Sequence, residues 1–254
     1  MGASTYDWER PEEFPVFSEN QVHVWMINIS DFYGQPQKFE HFLNRTEKTR
    51  AAQFKYDDSR QNFIICRGAL RFLLSRYLDE NPAKIDIKPN PEGKPVLTEE
   101  HHHHDLEFNI SHSEEVCLIA LSQNLEVGVD VEALKPLTDL EDRANSFLSV
   151  RELGDFLSSS PEKKLTMFYD LWSAKEALLK AIGCGLMIHP REMEIQEIRE
   201  KKNFSVEYRS NVIDIPHIEL VALDGLEGYT AWLAVVGKVD AISKFTLPMR
   251  LMPV

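Results

Sequence analysis

Hydrophobic positions recur with two periods along the chain, and the changes between them separate predicted strands from predicted helices. Alternation over residues 21–29 predicts a strand. Apolar residues then recur at helical spacing from about residue 58 to 78, which predicts a long helix that the Asn81-Pro82 pair ends. Between them, Asn44 and Glu47 are spaced as in a capping box, so a shorter helix is predicted to begin there.

The later part of the chain repeats this order of elements. The remaining strands of the first part are predicted near residues 85–87, 108–110 and 116–121, with a turn at 91–95. A strand at 127–131 begins the second part, where Ser149 and Glu152 are spaced to cap a short helix. Ser160-Pro161 opens a long helix that ends at Gly183. Further strands are predicted near residues 204–208, 218–223 and 230–236.

Both parts combine helices with a meander of strands, although they share little residue identity. The sequence therefore predicts an α+β fold of two similar α/β halves related by a pseudo-twofold axis. The expected divisions are a polar, loosely attached N-terminal arm at residues 1–20, an N-terminal half at 21–124 and a C-terminal half at 125–254. A binding site between such halves would draw residues from both.

Composition and charge narrow the class of protein. The formal net charge of −13 argues against general nucleic-acid binding, which needs a basic footprint. Cys66, Cys117 and Cys184 fit reduced, buried thiols better than a disulfide framework. The start of the chain lacks an apolar signal core, and the longest apolar run is too short to span a bilayer. We therefore expect a soluble, cytoplasmic monomer without nucleic-acid or membrane partners.

Two short motifs carry the candidate chemistry. In Gly-Val-Asp-Val-Glu, Asp130 and Glu132 are two residues apart and leave the same face of a strand. In Trp-Ser-Ala-Lys-Glu-Ala-Leu-Leu-Lys, Glu176 and Lys180 are four apart and share a helix face. Neighbouring carboxylates repel each other unless a cation or hydrogen-bond donors neutralise them. If these groups converge, they suit a divalent cation, with Mg²⁺ expected, and a phosphorylated substrate.

Each of these residues also has a structural interpretation. Glu176 and Lys180 could form an ordinary surface pair, and Asp130 could be a satisfied buried acid. His112 could simply hydrogen-bond a loop, and Arg50 could lie on a solvated helix face. The histidine run at 101–104 could suggest a metal site, but it lies in a polar segment without a second spaced cluster, so an exposed loop is predicted.

Five motifs, taken in chain order, resemble those of the surfactin-type 4′-phosphopantetheinyl transferases. The motifs are Glu47-Lys48-Thr49-Arg50, Gly93-Lys94-Pro95, Phe108-Asn109-Ile110-Ser111-His112-Ser113, Gly128-Val129-Asp130-Val131-Glu132, and Trp172-Ser173-Ala174-Lys175-Glu176 continuing through Lys180 and Gly183. They follow the family's order and cover most of the chain. The resemblance implies two similar halves with the site at their junction, coenzyme A as co-substrate and an apo acyl or peptidyl carrier protein as partner.

The resemblance also implies three overlapping groups of site residues. The metal ligands would be Asp130, Glu132 and Glu176, holding Mg²⁺, or Mn²⁺ in its place. Coenzyme A would be bound by Lys180 at its diphosphate and by Arg50, Lys94, Ser111 and His112 at its nucleotide end, with His112 near the 3′-phosphate. The catalytic residues would be Asp130, Glu176 and Lys180, with Glu176 taking the acceptor serine's proton directly or through water.

Other functions and one partner surface stay open at this stage. A Mg²⁺-dependent hydrolase of nucleotide diphosphates could use the same carboxylates, and a non-catalytic module could bind coenzyme A or a carrier. The carrier could serve fatty-acid, polyketide or peptide-synthetase pathways. Residues 133–147 are the expected docking segment for a carrier, unless their apolar side chains pack inward. The expected contact residues are Leu134, Lys135, Leu137, Leu140, Arg143 and Phe147.

Overall fold

The predicted helices and strands occur in the expected order, and the structure adds further elements, among them a helix at Leu140–Phe147 and a strand at Met193–Ile198. The computed structural model describes residues 8–98, 105–183, 188–198, 203–208 and 217–252, with the backbone alone at 196–198 and 203–208. The helices are α1 Gln37–Glu40, α2 Arg45–Ala51, α3 Asp57–Leu78, α4 Leu140–Phe147, α5 Val150–Ser158 and α6 Pro161–Ile182. The strands are β1 Gln21–Asn28, β2 Ile87–Pro89, β3 Pro95–Leu97, β4 Leu106–Ser113, β5 Val116–Gln123, β6 Val127–Ala133, β7 Met193–Ile198, β8 Asn203–Tyr208, β9 Ile218–Ala222, β10 Tyr229–Val236 and β11 Ala241–Thr246.

The described strands form two main sheets with matching topology. The first has the order β11-β1-β5-β4 and the second β6-β10-β9-β8-β7, while β2 and β3 form a separate hairpin. In each half the first strand pairs antiparallel with the last, and the last pairs with the strand before it. Each half also places a 22-residue helix, α3 or α6, after its first strand. The predicted α+β fold with two similar halves is therefore confirmed.

The two sheets pack face to face, and one long helix covers each outer face. Alternate residues of β5 separate into two cores, with Ile119 on the α3 side and Leu118 facing the second sheet. Helix α6 covers the other face of the second sheet through residues such as Ala177 and Leu178. Strand β5 is apolar from Val116 to Leu121 because both of its faces are buried there.

The N-terminal segment is attached more firmly than its polar composition suggested. Trp8 is only 4% exposed, and Glu9 forms a parallel bridge with Phe245 of β11. Phe14 stacks on Trp25 with ring centroids 5.4 Å apart. The aromatic side chains of this segment therefore pack against the fold, with Trp8 between the two sheets and Phe14 on the first half, because they bury enough apolar area to outweigh their polar neighbours.

Strand β11 was absent from the sequence-based prediction. It pairs in parallel with β1, from Gln21 opposite Ala241 to Met26 opposite Thr246. The first sheet thus takes its edge strand from the far end of the chain. The division of the chain at residues 124 and 125 stays a prediction.

The predicted helix signals match the structure. Glu47 N–H donates to Asn44 Oδ1 at 2.9 Å, and Asn44 N–H donates to Glu47 Oε2 at 3.0 Å, so the capping box is complete. Ser149 and Glu152 form the second box. Helix α6 ends at Gly183, whose φ of 70° lies in the left-handed region that glycine adopts without strain.

Three further expectations can be located in the chain. Cys66 and Cys117 are buried free thiols, as predicted for core fillers. Cys184 and the histidine run at 101–104 lie outside the described residues. None of the helices in the described part of the chain is long and apolar enough to cross a membrane.

Candidate functional site at the junction of the two halves

Strand β6 and helix α6 lie in unusually close contact. A Cβ atom on Gly128 would stand 2.0 Å from the Ala177 carbonyl oxygen and 2.3 Å from the Ala181 backbone nitrogen. Only glycine therefore permits this approach. It brings the strand that carries Asp130 and the helix that carries Lys180 into direct contact.

The centre of the site is a hydrogen-bonded group of three side chains. The Lys180 ammonium donates to Asp130 Oδ1 at 2.6 Å, to Ser111 Oγ at 3.1 Å and to the Val129 carbonyl at 3.3 Å. The Ser111 hydroxyl donates to the same Asp130 oxygen at 2.9 Å. Asp130 is 3% exposed, and its other oxygen, Oδ2, is buried without a hydrogen-bond partner among the described residues. Asp130 thus has one neutralised oxygen and one unused acceptor.

Glu132 and Glu176 are half-buried beside this group. Burial, followed by the charge of Asp130, raises the pKa of the Glu132 carboxyl, although Ser113 donates to its Oε2 at 3.1 Å. Burial and the Asp130 charge also raise the pKa of Glu176, against the opposing effect of Lys180. Asp130 is therefore close enough to Glu132 and Glu176 for its negative charge to disfavour ionisation of both.

A cavity of about 300 Å³ adjoins these groups and is lined by both halves. Its lining residues are Glu92, Gly93, Lys94, Pro95, Asn109 and Ile110 from the first half, and Glu176, Leu179, Lys180 and Gly183 from the second. The Lys94 ammonium reaches the carbonyls of Val127 at 3.3 Å and Ala181 at 3.5 Å, and burial lowers its pKa. The structure thus brings Lys94 to the same cavity as Glu176 and Lys180, from which it is far removed in sequence.

Arg50 lies in a neighbouring cavity of about 460 Å³. Gly93 and Pro95 line both cavities, so the two adjoin across the β2–β3 turn. The Arg50 guanidinium lies 5.1 Å from the centroid of the Phe63 ring, and Arg67 lines the same cavity. Sequence reasoning missed Arg67, which had no motif to mark it.

Glu47, the first residue of the motif that contains Arg50, has a structural role. It is buried, accepts from Arg67 Nε at 2.5 Å and pairs with the fully buried Arg71. Arg71 in turn reaches the Ile85 carbonyl at 2.9 Å. This ion cluster fixes helix α2 on α3 and holds Arg67 at the wall of the cavity.

His112 occupies the opposite side of β4 from its neighbours Ser111 and Ser113, since side chains alternate along a strand. Its side chain is exposed. Partial desolvation and the positive charge of Lys180 lower the pKa of His112. His112 therefore lies near Lys180 without joining the carboxylate group.

The predicted docking segment is less exposed than the sequence suggested. Phe147 is buried and stacks on Trp172 with ring centroids 4.2 Å apart. Leu134, Leu137 and Leu140 pack against the same cluster and are half-buried. The expectation that Phe147 faces a partner was wrong, because its ring is buried against Trp172 within the chain.

The donor chemistry of the site fits a hard divalent cation. Among the residues that the structure describes, no group of three His, Cys, Asp or Glu side chains lies close enough to enclose a metal ion. Asp130 Oδ2 is nevertheless a buried carboxylate oxygen without a partner, and Glu132 and Glu176 stand beside it. Oxygen ligands of this type suit Mg²⁺. Lys180 supplies the counter-charge to Asp130 in the present arrangement.

Comparison with known proteins identifies the family. Residues 126–223 match the 4′-phosphopantetheinyl transferase superfamily, and residues 34–124 match the N-terminal part of a 4′-phosphopantetheinyl transferase. The 4′-phosphopantetheinyl transferase HetI of Nostoc sp. is 34% identical over 70% of this chain and 74% of its own length. The 4′-phosphopantetheinyl transferase Sfp of Bacillus subtilis is 28% identical over 60% of this chain and 65% of its own. The chain belongs to the 4′-phosphopantetheinyl transferase superfamily.

Solved structures give a weaker likeness. The holo-[acyl-carrier-protein] synthase of Thermotoga maritima is 20% identical with a TM-score of 0.37, covering 44% of this chain and 63% of the synthase. The Bacillus anthracis holo-(acyl-carrier-protein) synthase in complex with CoA (3′,5′-ADP) is 16% identical with the same TM-score, covering 44% and 94%. Both cover less than half of this chain.

Proposed function

We propose that this protein transfers the 4′-phosphopantetheine group of coenzyme A to a serine of an apo carrier protein, giving the holo carrier and 3′,5′-ADP. The observation that carries the proposal is the contact of Lys180 with Asp130, beside Glu176, at a cavity that both halves line. Membership of the transferase superfamily supports the reaction class. The five motifs support placement in the surfactin-type branch.

Coenzyme A fits the charge distribution across the two adjoining cavities. Lys180 and Lys94 offer ammonium groups at the smaller cavity, where the diphosphate would bind. Arg50 and Arg67 offer guanidinium groups at the larger one, where the nucleotide end would extend. His112 is among the lining residues of neither cavity, and its assignment to the 3′-phosphate follows the resemblance to the transferase family. In a protein with a net charge of −13, cations gathered at one junction are a specific feature.

Asp130, Glu132 and Glu176 would hold Mg²⁺, with Mn²⁺ as the alternative ion. The bound ion would supply positive charge that stabilises the phosphate oxygens in the transition state. Lys180 neutralises Asp130 now, and its ammonium can exchange this carboxylate for a substrate phosphate. Ser111, which hydrogen-bonds both Lys180 and Asp130, belongs to this exchange rather than to the nucleotide end.

The transfer needs no nucleophile from this chain, because the carrier brings its own serine. The serine oxygen forms a bond to the β-phosphorus, the bond from that phosphorus to the bridging oxygen breaks, and 3′,5′-ADP leaves. The serine proton goes to Glu176, directly or through water. Glu176 lines the cavity together with Lys180, so its carboxylate lies at the junction where both halves meet.

Intact-mass measurement after incubation with coenzyme A, Mg²⁺ and an apo carrier protein tests the proposal. A gain of one phosphopantetheine on the carrier supports it. Free phosphopantetheine without carrier modification would instead identify a hydrolase, and binding of coenzyme A without turnover would identify a non-catalytic module. A panel of apo carriers from the three pathways would then show which acceptor is used best.

Variants of the three acids separate their roles. Asp130→Ala and Glu176→Ala should each lower the transfer rate by about a hundredfold or more, and Glu132→Ala by less. Glu162→Gln is the matched control, since Glu162 is an exposed acid in the first turn of the same helix. Near-normal turnover of the Asp130 variant at saturating substrate would overturn the metal assignment.

A further inference from the structure

Strands β4 and β6 lie side by side at the junction, yet they belong to different sheets. Each is the edge strand of its own sheet. In the described part of the chain, side chains of β4 bridge the gap where two strands of one sheet would share a backbone ladder. The bridging residues are Asn109, Ser111 and Ser113, and we call them the polar triplet.

The triplet contacts β6 at every second residue of β4. Asn109 Oδ1 accepts from the Val129 N–H at 3.0 Å. The Ser111 hydroxyl donates to Asp130 Oδ1 at 2.9 Å. The Ser113 hydroxyl donates to Glu132 Oε2 at 3.1 Å and accepts from the Ala133 N–H at 3.1 Å. Both carboxylates of the strand motif therefore accept a hydrogen bond from a serine hydroxyl of the other half of the molecule.

The direction of each hydroxyl proton follows from its other partner. Ser111 Oγ is contacted by the Lys180 ammonium, and Ser113 Oγ by a backbone N–H. Ammonium and amide groups donate hydrogen bonds and accept none. Because the acceptor side of each serine is occupied by such a donor, its proton must point to Asp130 or Glu132.

We infer that Ser111 and Ser113 are positioning residues, which hold the carboxylates of Asp130 and Glu132 oriented toward the cation and substrate, while Asn109 fixes the register of β4 on β6. The inference rests on the proposed function. Hydrogen-bond partners of this type that orient metal-binding carboxylates typically change metal affinity by about 10–100-fold when removed. The first half thus sets the geometry of acids that the second half supplies.

Mn²⁺ titration of the full-length protein without coenzyme A or carrier, followed by electron paramagnetic resonance, tests the inference independently of turnover. Ser113→Ala and Ser111→Ala should each weaken Mn²⁺ binding by about tenfold or more. Ser113→Thr keeps a hydroxyl and should restore affinity to within about threefold of the parent protein. Ser243→Ala removes a half-buried strand serine on β11 and should leave affinity unchanged.

The outcomes separate this inference from the proposed function. If the parent protein binds Mn²⁺ and modifies a carrier, but both alanine variants bind Mn²⁺ equally well with unchanged melting, the hydroxyls do not position the acids and the inference fails. Equal weakening by Ser113→Thr and Ser113→Ala would also overturn it, since shape rather than the donated proton would then matter. Absence of Mn²⁺ binding by the parent protein would overturn the metal assignment and the inference together.

Discussion

The Lys175 ammonium donates to Glu152 Oε2 at 2.5 Å, and both side chains are buried. Lys175 precedes Glu176 in the helical motif, but it points away from the junction and also reaches the Pro190 carbonyl at 3.0 Å. Glu152 accepts from the Ile195 N–H at 3.0 Å through its other oxygen. This lysine therefore joins α6 to α5 and β7, and its motif neighbour Glu176 serves the site.

Removing the charge of one partner of this buried ion pair should destabilise the fold. Lys175→Met leaves the Glu152 charge buried without its partner, which should lower the free energy of unfolding by about 3–5 kcal/mol. Urea unfolding measures the change. Lys238→Met removes an exposed partner of Asp240 and should cost less than about 1 kcal/mol. A loss below about 1 kcal/mol for Lys175→Met would show that the buried pair contributes little.

Gly128→Ala should disturb both stability and transfer. The added methyl would overlap the α6 backbone at Ala177 and Ala181, so the helix must shift away from β6 and carry Lys180 from Asp130. We expect a loss of about 1–3 kcal/mol or more in unfolding free energy, with a lower transfer rate. Gly154→Ala on α5 has open space and should be neutral or stabilising by up to about 1 kcal/mol. Equal melting temperatures for the two variants would contradict the packing argument.

Stability should fall as the pH drops from about 6.5 to 4 because of one histidine. Burial lowers the pKa of His23 from 6.5 to about 4. Tyr77 accepts from the Trp25 indole N–H and donates to His23 Nδ1, at 3.0 and 2.6 Å, so neutral imidazole is held in the folded state. Below pH 6.5 His23 binds a proton in the unfolded chain but stays neutral in the folded state until the pH reaches about 4. This difference lowers the free energy of unfolding by up to about 3 kcal/mol at pH 4.

The measurement is urea unfolding at several pH values, compared between the parent protein and His23→Gln. The difference between the two free energies should change through this window and level off above about pH 6.5. Parallel curves throughout would show that His23 binds its proton equally well in both states.

His112→Ala should weaken the binding of coenzyme A more than the binding of 3′-dephospho-coenzyme A. Burial, followed by the charge of Lys180, lowers the pKa of His112. The family resemblance assigns this residue to the 3′-phosphate. We expect the affinity for coenzyme A to fall by about tenfold, as for the loss of one charge-assisted hydrogen bond. Isothermal titration with both ligands gives the comparison. Equal losses for the two ligands would remove His112 from recognition of the 3′-phosphate.

Carrier affinity should respond weakly to salt. The exposed parts of Leu134, Leu137 and Leu140 remain the expected contact surface, while Arg143 is paired with Asp139 at 2.9 Å. Screening acts mainly on exposed charges, so raising salt from about 0.05 to 0.5 M should change the carrier KM by less than about threefold. A steep rise in carrier KM with unchanged coenzyme A binding would point to a basic docking patch.

Local spacing predicted which side chains share a face, but it could not predict which faces meet. The pairs Asp130 with Glu132, and Glu176 with Lys180, follow from strand and helix periods alone. Their meeting depends on the close approach at Gly128, which only the packed structure reveals. The serine bridges were hidden for the same reason, because Ser111 and Ser113 have no periodic relation to the acids that they contact.

The pairing of β1 with the distant strand β11 could not be predicted from the sequence for a different reason. Strand β11 is short and only partly buried, and its partner β1 lies near the other end of the chain. No local signal records such a pairing, since loop length and turn type fix register only between neighbouring strands. The packed arm was missed because Trp8 and Phe14 are isolated among polar residues.

The parallel pairing of β1 with β11 has a consequence for biosynthesis. A ribosome makes β1 long before β11, so the first sheet emerges with one edge open. An open edge of this kind can pair with any extended chain nearby. The nascent protein must therefore keep that edge of β1 away from foreign strands until β11 has been made, because β11 is the strand that closes it.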